Sequence, residues 1–305
     1  MRVRLFACLL ATIAVPAAAQ HDLSKVEIKT ERLAPGVAVL FGAGGNIALS
    51  HGEDGNVIVD DQFAPLTDKI SAVIATFDRK PVRFVINTHW HPDHTGGNEN
   101  FGKRGAVILA HDNVRSRMSS EQFRAMTEEK IAPSPKGALP VVTFAEAVTM
   151  HLNGDTLHVS HVANAHTDGD AIIHWQKANV LHMGDTFMNR VSFPFIDRRA
   201  GGSIDGYIAA ADRGLALADA ETRIIPGHGP IGTRADLQAF RDMLIDIRAK
   251  VANGITAKRT LAQIKASAPA ARYGMPDGFI KPDQFVEAVY ASLTSPPPAR
   301  GPHSH

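Results

Sequence analysis

Cysteine is nearly absent from this chain of 305 residues; Cys8 is the only one. A chain with a single thiol closes no internal disulfide and builds no multi-thiolate metal site. An excess of either charge is missing too, with 32 Lys and Arg against 31 Asp and Glu. Nucleic-acid binding rests on phosphate neutralisation by clustered Lys and Arg, and no basic stripe is present, so a nucleic-acid partner is not expected. No apolar run is long enough to span a bilayer as a helix, so no stable membrane anchor is expected. A Gly-x-Ser-x-Gly elbow is also missing, which removes the usual signature of a serine nucleophile.

The N-terminus has the pattern of an export signal. Arg2 and Arg4 form a basic start, Leu5 to Val15 is apolar, and Ala17-Ala18-Ala19 forms a small-residue cleavage site before Gln20. Residues 1–19 are expected to be a secretory signal peptide, and the mature protein to be periplasmic or secreted. Cys8 lies inside that segment, too early for a lipid-attachment box. Without the segment, 30 Lys and Arg stand against 31 Asp and Glu. Residues 20–295 read as one domain, and Pro296-Pro297-Pro298 opens a flexible tail over 296–305.

Histidine is what the chain has in quantity, with 15 residues. The densest stretch is His89-Trp90-His91-Pro92-Asp93-His94. Val82 to Asn87 before it reads as a buried strand, and Thr95-Gly96-Gly97 after it permits a tight turn into a helix. Placing several imidazoles and a carboxylate together is costly unless a cation compensates. Three more sites repeat the theme of a His or Asp beside Gly after an apolar run. His166 lies in Asn164-Ala165-His166-Thr167-Asp168-Gly169-Asp170, Asp185 follows Val180-Leu181-His182-Met183-Gly184, and His228 follows Ile224-Ile225-Pro226-Gly227. Strand ends of this kind hold functional groups on layered α/β scaffolds.

Residue type and order resemble the metallo-β-lactamase superfamily, over roughly residues 26–240. The resemblance implies an α/β fold, a four-layer αβ/βα sandwich, with a two-metal site along one edge of the β core. It allots His89, His91 and His166 to one metal and Asp93, His94 and His228 to the other, with Asp185 bridging. His and carboxylate ligands without thiolate suit zinc, so two Zn2+ ions are expected, with Mn or Fe compatible with the same donors. Asp93 and Asp185 are the expected catalytic carboxylates, one orienting the nucleophilic water and the other fixing the metal spacing. Asp60, at the end of the apolar strand Val57-Ile58-Val59, is expected to hydrogen-bond behind the metal loop, with Asp61 as its rival.

The implied function is hydrolysis of an acyl or cyclic amide or ester bond in a small molecule by an exported, β-lactamase-like enzyme. Lactonase, esterase or thioesterase chemistry is the alternative. A non-catalytic zinc-binding module is a reading from another class. Many metallo-β-lactamases carry a Cys where this chain has Asp185, and a Lys three residues later where it has Met188. Arg190 is the candidate to replace that Lys against a substrate carboxylate. Phe193 and Phe195, with Phe187, Met188 and Pro194, are candidates for an apolar substrate wall.

Elsewhere, helical spacing predicts helices over Leu66 to Phe77, 113–130, Arg234 to Ala252, Lys258 to Lys265 and Pro282 to Leu293. Ser203 and Thr233 are predicted N-caps. Asn153-Gly154 is predicted to turn a hairpin. His111 reads as a capping or core residue, and His174 and His182 as packing residues.

Overall fold

The computed structural model describes residues 22–123, 129–275 and 277–295. The expected signal peptide over 1–19 and the tail over 296–305 lie outside the described residues.

Two sheets face each other. The first half supplies β1 (Lys29–Ala34), β2 (Val37–Phe41), β3 (Ile47–Ser50), β4 (Asn56–Val59), α1 (Thr67–Ile74), β5 (Val82–Ile86), α2 (Pro92–Thr95), α3 (Asn98–Lys103), β6 (Val107–His111), α4 (Asp112–Met118), the short pair β7 (Gln122–Phe123) and β8 (Lys130–Ile131), and β9 (Val142–Phe144). Its main sheet has the order β1-β2-β3-β4-β5-β6-β9. The first four strands run antiparallel, and β4, β5, β6 and β9 run parallel. The second half supplies β10 (Ala147–Leu152), β11 (Asp155–His161), β12 (Ala171–Trp175), β13 (Val180–His182), α5 (Ile204–Leu217), β14 (Arg223–Ile225), α6 (Arg234–Thr256), α7 (Leu261–Ala266) and α8 (Pro282–Thr294). Strands β10 to β14 form a second sheet in chain order, with a parallel β13–β14 pair.

The two-residue period of the strands builds the layers. Val57 and Val59 of β4, Ile86 of β5 and Leu109 of β6 meet Val159, Ile173, Val180 and Ile225 of the second sheet in one buried cluster. Their neighbours Ile58, Val85 and Ile108 face outward and pack with Ile70 and Ile74 of α1 and Phe101 of α3. On the other side Ile172, Leu181 and Ile224 pack under Tyr207, Leu244 and Val286 of α5, α6 and α8. The result is the expected helix–sheet–sheet–helix sandwich, with almost every central strand apolar on both faces.

The local signals act as read. Asn153 and Gly154 both take positive φ between the paired Leu152 and Asp155, the two-residue turn that matches strand twist. The Ser203 hydroxyl accepts from the Gly206 amide, and Thr233 forms a capping box with Asp236. His111 caps α4 by accepting from the Asn113 amide. The helix expected over 113–130 stops at Met118, and β7 and β8 follow. The Ser119 and Ser120 hydroxyls turn back onto the Ser116 carbonyl at 3.0 and 2.9 Å, a local bond that competes with helix continuation. Among the described residues no helix is long and apolar enough to cross a membrane.

Candidate metal centre

The strand-end loops converge at one edge of the sandwich. Asp60 follows β4, His89 to His94 follow β5, Asp185 follows β13, and His228 follows β14. These two parallel pairs, β4–β5 and β13–β14, leave their carboxyl ends together. His166 joins from the loop between β11 and β12. Asp170 shapes that loop, its Oδ2 accepting from the His166 and Thr167 amides at 2.7 and 2.8 Å. Arg117 of α4 grips Asp168 in the same loop with two bonds of 2.7 and 2.8 Å.

Three groups of donor atoms lie within 4.8 Å of one another: His89, His91 and His166; Asp93, His94 and His228; and His89, His94 and Asp185. His91 Nδ1 is 2.8 Å from His166 Nε2. His228 Nε2 is 3.3 Å from His94 Nε2 and 3.2 Å from Asp93 Oδ2. Asp185 spans the two groups. Its Oδ1 is 3.1 Å from His94 Nε2, and its Oδ2 is 3.7 Å from His166 Nε2. Gly227 makes room for it, since a Cβ there would sit 1.9 Å from Asp185 Oδ1.

Four of the imidazoles are held from behind. His89 Nδ1 meets Thr88 Oγ1 at 3.0 Å, and His94 Nδ1 meets Asp60 Oδ2 at 2.7 Å. His91 Nε2 meets Asp197 Oδ2 at 3.0 Å, and His166 Nδ1 meets the Phe195 carbonyl at 2.6 Å. Each outer nitrogen donates, so the inner nitrogens of His89, His91 and His166 turn lone pairs on the shared space, and His94 Nε2 does so once a cation replaces its proton, the arrangement that orients metal ligands. The buried His89 Nε2 has no hydrogen-bond partner among the described residues. Leaving such a group unpaired costs about 1–3 kcal/mol, and a cation beside it removes that cost. The donor set thus fits a pair of cations.

The electrostatics point the same way. Burial, with neighbouring His94 and His166, holds the His89 pKa well below the ordinary imidazole value. Burial and His91 bring His166 down to about 4. Both therefore offer lone pairs at neutral pH. Burial opposes the His94 imidazolium, yet Asp185, Asp93 and Asp60 outweigh it and hold its pKa well above the ordinary value. Burial likewise opposes the Asp185 carboxylate, but His228 and His94 keep it ionised. Proton and carboxylate occupy positions suited to cation and carboxylate.

Asp60 lies behind the loop. It is fully buried and accepts from the Thr88 amide at 2.8 Å and from Thr88 Oγ1 at 2.7 Å besides facing His94. Its rival Asp61 instead accepts from the Gly97 amide at 2.8 Å. Two of the three expected substrate contacts need correction. Arg190 is drawn away by the carboxylate of Asp236, which sits in the first turn of α6, and its side chain is 75% exposed. Phe193 is fully buried and stacks on Phe285 of α8 with ring centroids 5.4 Å apart, because α8 supplies a core partner. Phe187 likewise packs on Phe240 of α6. Of the aromatic rings in that run, Phe195 lies against the cluster, 5.9 Å from His91 and 5.7 Å from His166, while Met188 pairs through its backbone with His228.

Sequence reasoning passed over Asp197, Thr88 and Tyr207. The Tyr207 hydroxyl is fully buried and lies 3.0 Å from the Asp185 carbonyl and 2.8 Å from the Phe195 carbonyl. Asp197 and Tyr207 sit in no run of ligand-type residues, and Thr88, though it abuts His89, is not itself a ligand type, so no local signal marks them. His182 is buried and donates to the Asn46 carbonyl, outside the cluster.

The family model described as the metallo-beta-lactamase superfamily matches residues 41–228, more than half of the chain. Among solved structures, a metallo-beta-lactamase from Pontibacter korlensis superposes with a TM-score of 0.59 at 18% identity, over 72% of this chain and 100% of that one. The stereoselective inverting sec-alkylsulfatase Pisa1 from Pseudomonas sp. gives 0.62 at 17% identity, over 88% of this chain and 50% of that one. A curated relative, the 2,4-dinitroanisole O-demethylase subunit alpha of Nocardioides sp. (strain JS1661), is 29% identical over 140 residues. That match spans 44% of this chain and 39% of the relative's length. With its fold, its edge-on cluster of His and Asp, and the matched residues 41–228, the chain belongs to the metallo-β-lactamase superfamily.

Proposed function

We propose that the protein is an exported, dinuclear zinc-dependent hydrolase that cleaves an acyl or cyclic amide or ester bond in a small molecule. The observation that carries this reading is the pairing of inward lone pairs with outward tethers on four histidines around one space, closed by a carboxylate that spans two donor groups. His89, His91 and His166 would hold one ion, and Asp93, His94 and His228 the other, with Asp185 between them. Such a pair of ions, when bound, polarises the scissile carbonyl and supplies hydroxide at neutral pH.

The chain's own residues do the rest. Asp93 and His228 are on the open side, with side chains 30% and 27% exposed. Burial opposes ionisation of Asp93, but His94 and His228 hold its pKa below the usual range, so it can orient a water as an acceptor. Phe195 presents a ring beside His91 and His166 that an apolar substituent can cover.

The relatives' names include a β-lactamase, a sulfatase and a demethylase subunit, and they single out no one substrate. β-Lactams fit the export and the ligand set. Lactones and simple esters are favoured by one observation: Arg190 is engaged with Asp236 rather than turned to the cluster. A missing charge-assisted bond weakens a carboxylate-bearing substrate by about 1.5–3 kcal/mol.

The test is a hydrolysis screen of the zinc-loaded mature protein with cephalosporins, lactones, aryl esters and thioesters, with and without chelator. Chelator-sensitive turnover of a lactone or ester, with slower β-lactam turnover, is expected. Two bound ions with no turnover of any substrate would favour a non-catalytic zinc-binding module. N-terminal sequencing of the exported chain should start at or near Gln20, and retention of Met1 on a cytosolic protein would contradict export.

A further inference from the structure

Asn46, at the turn between β2 and β3, holds both banks of the Asp93–His94–His228 group together. Its amide donates to the Gly227 carbonyl at 2.8 Å. Its side-chain Nδ2 donates to the Pro226 and Gly229 carbonyls, both at 2.9 Å. These bonds bracket His228 from the residues on either side of it. The Asn46 carbonyl accepts from His182 Nε2 at 3.0 Å, anchoring the turn to β13. Asn46 is buried, and all these partners lie well over a hundred residues away in the chain.

The preceding residue touches the other bank. The Gly45 amide donates to the Asp93 carbonyl at 3.0 Å, and its carbonyl accepts from Gln62 Nε2 at 2.7 Å. A Cβ on Gly45 would lie 2.1 Å from His94 Cε1, so the turn presses directly on that ring. One turn of two residues therefore contacts the Asp93 backbone, the His94 ring and the residues on either side of His228. The tethers of the other group are different ones, namely Thr88 for His89, Asp197 for His91 and Phe195 for His166.

We propose that Asn46 is a positioning residue for the second cation site, fixing the His228 loop against the His94 bank while leaving the His89–His91–His166 site unaffected. This rests on the two-cation reading above. The Pro226 and Gly229 carbonyls converge on one side-chain amide, and only a double donor of this length satisfies both. Without it the His228 loop has one backbone bond to the turn instead of three, and the ligand loses its fixed distance to His94.

The experiment is stepwise zinc binding by chelator competition, with bound metal counted by elemental analysis, on the chelator-stripped wild-type chain and Asn46→Ala. The wild type should take two equivalents. Asn46→Ala should bind the first as the wild type does and the second about ten- to hundred-fold more weakly, the usual effect of removing an outer partner of a metal ligand. Asn46→Ser, whose hydroxyl is too short to reach either carbonyl, should weaken the second equivalent to the same degree and also covers the case in which the alanine variant does not fold. Equal affinity for both equivalents in all three proteins would overturn the proposal. A parallel weakening of both equivalents, or failure of both variants to fold, would overturn it too, since each describes a general structural role. A wild type that takes fewer than two equivalents would instead remove the two-cation reading itself.

Discussion

Asp60→Asn is the substitution whose outcome the geometry defines most closely. Asp60 has φ of +63°, a conformation that Asn adopts as readily as Asp, so the backbone should be kept. Asp60 Oδ1 accepts from the Thr88 amide at 2.8 Å, while Oδ2 accepts from Thr88 Oγ1 and His94 Nδ1, both at 2.7 Å. Because Thr88 donates its hydroxyl hydrogen to Asp60, its oxygen is free to accept from His89 Nδ1 at 3.0 Å. One carboxylate thus fixes the tautomer of a histidine in each cation site. In the Asn variant the amide oxygen can still serve the Thr88 amide, which puts NH2 where Oδ2 was. His94 Nδ1 and Thr88 Oγ1 must then accept. The Thr88 hydrogen turns to His89, and both imidazoles move their proton to Nε2, the atom that faces the cations. The flipped amide sets two donors against each other at Thr88.

Loss of an outer partner lowers metal affinity about ten- to hundred-fold. That corresponds to about 1.4–2.7 kcal/mol at each site. Chelator competition should show both zinc equivalents weakened, in contrast to the selective loss expected at Asn46. His89 stays neutral near pH 7 because burial depresses its pKa, so imidazole 15N NMR of the metal-free chain can read its tautomer. The proton should sit on Nδ1 in the wild type and on Nε2 in Asp60→Asn. Wild-type affinity at both sites, with the proton still on Nδ1, would refute the relay through Thr88.

Three further outcomes are expected. Asp185→Asn should fold, keep the first zinc, weaken the second by at least about tenfold, or about 1.4 kcal/mol, and cut turnover; wild-type metal content and rate would contradict the spanning role. Arg190→Ala should leave KM for carboxylate-bearing β-lactams and for neutral lactones alike unchanged and alter stability by no more than about 1 kcal/mol, since an exposed ion pair contributes little; a KM rise confined to the carboxylate substrates would return Arg190 to the site. Burial pushes the Asp61 carboxyl well above its ordinary range despite the Gly97 bond, so the folded chain holds this proton to higher pH than the unfolded chain. That contribution to stability is full below about pH 4, the unfolded value, and declines as pH rises towards the folded value, so Asp61→Asn should gain on the wild type in urea unfolding between pH 5 and 7.5; a constant difference would contradict it.

The sequence exposes ligands better than what holds them. His89, His91, Asp93 and His94 are legible because four donors crowd one strand end, and His166, Asp185 and His228 because each follows an apolar run beside glycine. The layers are legible because the central strands are apolar on both faces. Asp197 and Asn46 leave no such trace: their partners lie 106 and 180 residues away, and an isolated Asp or Asn in a turn has many ordinary reasons to be there. Phe193 looked like a substrate wall because its run follows Asp185, but Phe285, far along the chain, gives it a core partner. Arg190 departs from expectation for a similar reason, since the attraction of Asp236 depends on where α6 starts relative to that loop. The end of α4 was missed because serine pairs suit an exposed helix face as well as a stop, and only their back-bonding separates the two.

The most direct test of the two-cation centre is anomalous diffraction at the zinc edge from crystals of the zinc-loaded protein. The account predicts two peaks, one within about 2.0–2.2 Å of His89 Nε2, His91 Nδ1 and His166 Nε2, and one at the same distance from Asp93, His94 Nε2 and His228 Nε2. Asp185 should lie between them. A single peak, or ions bound away from these side chains, would contradict it.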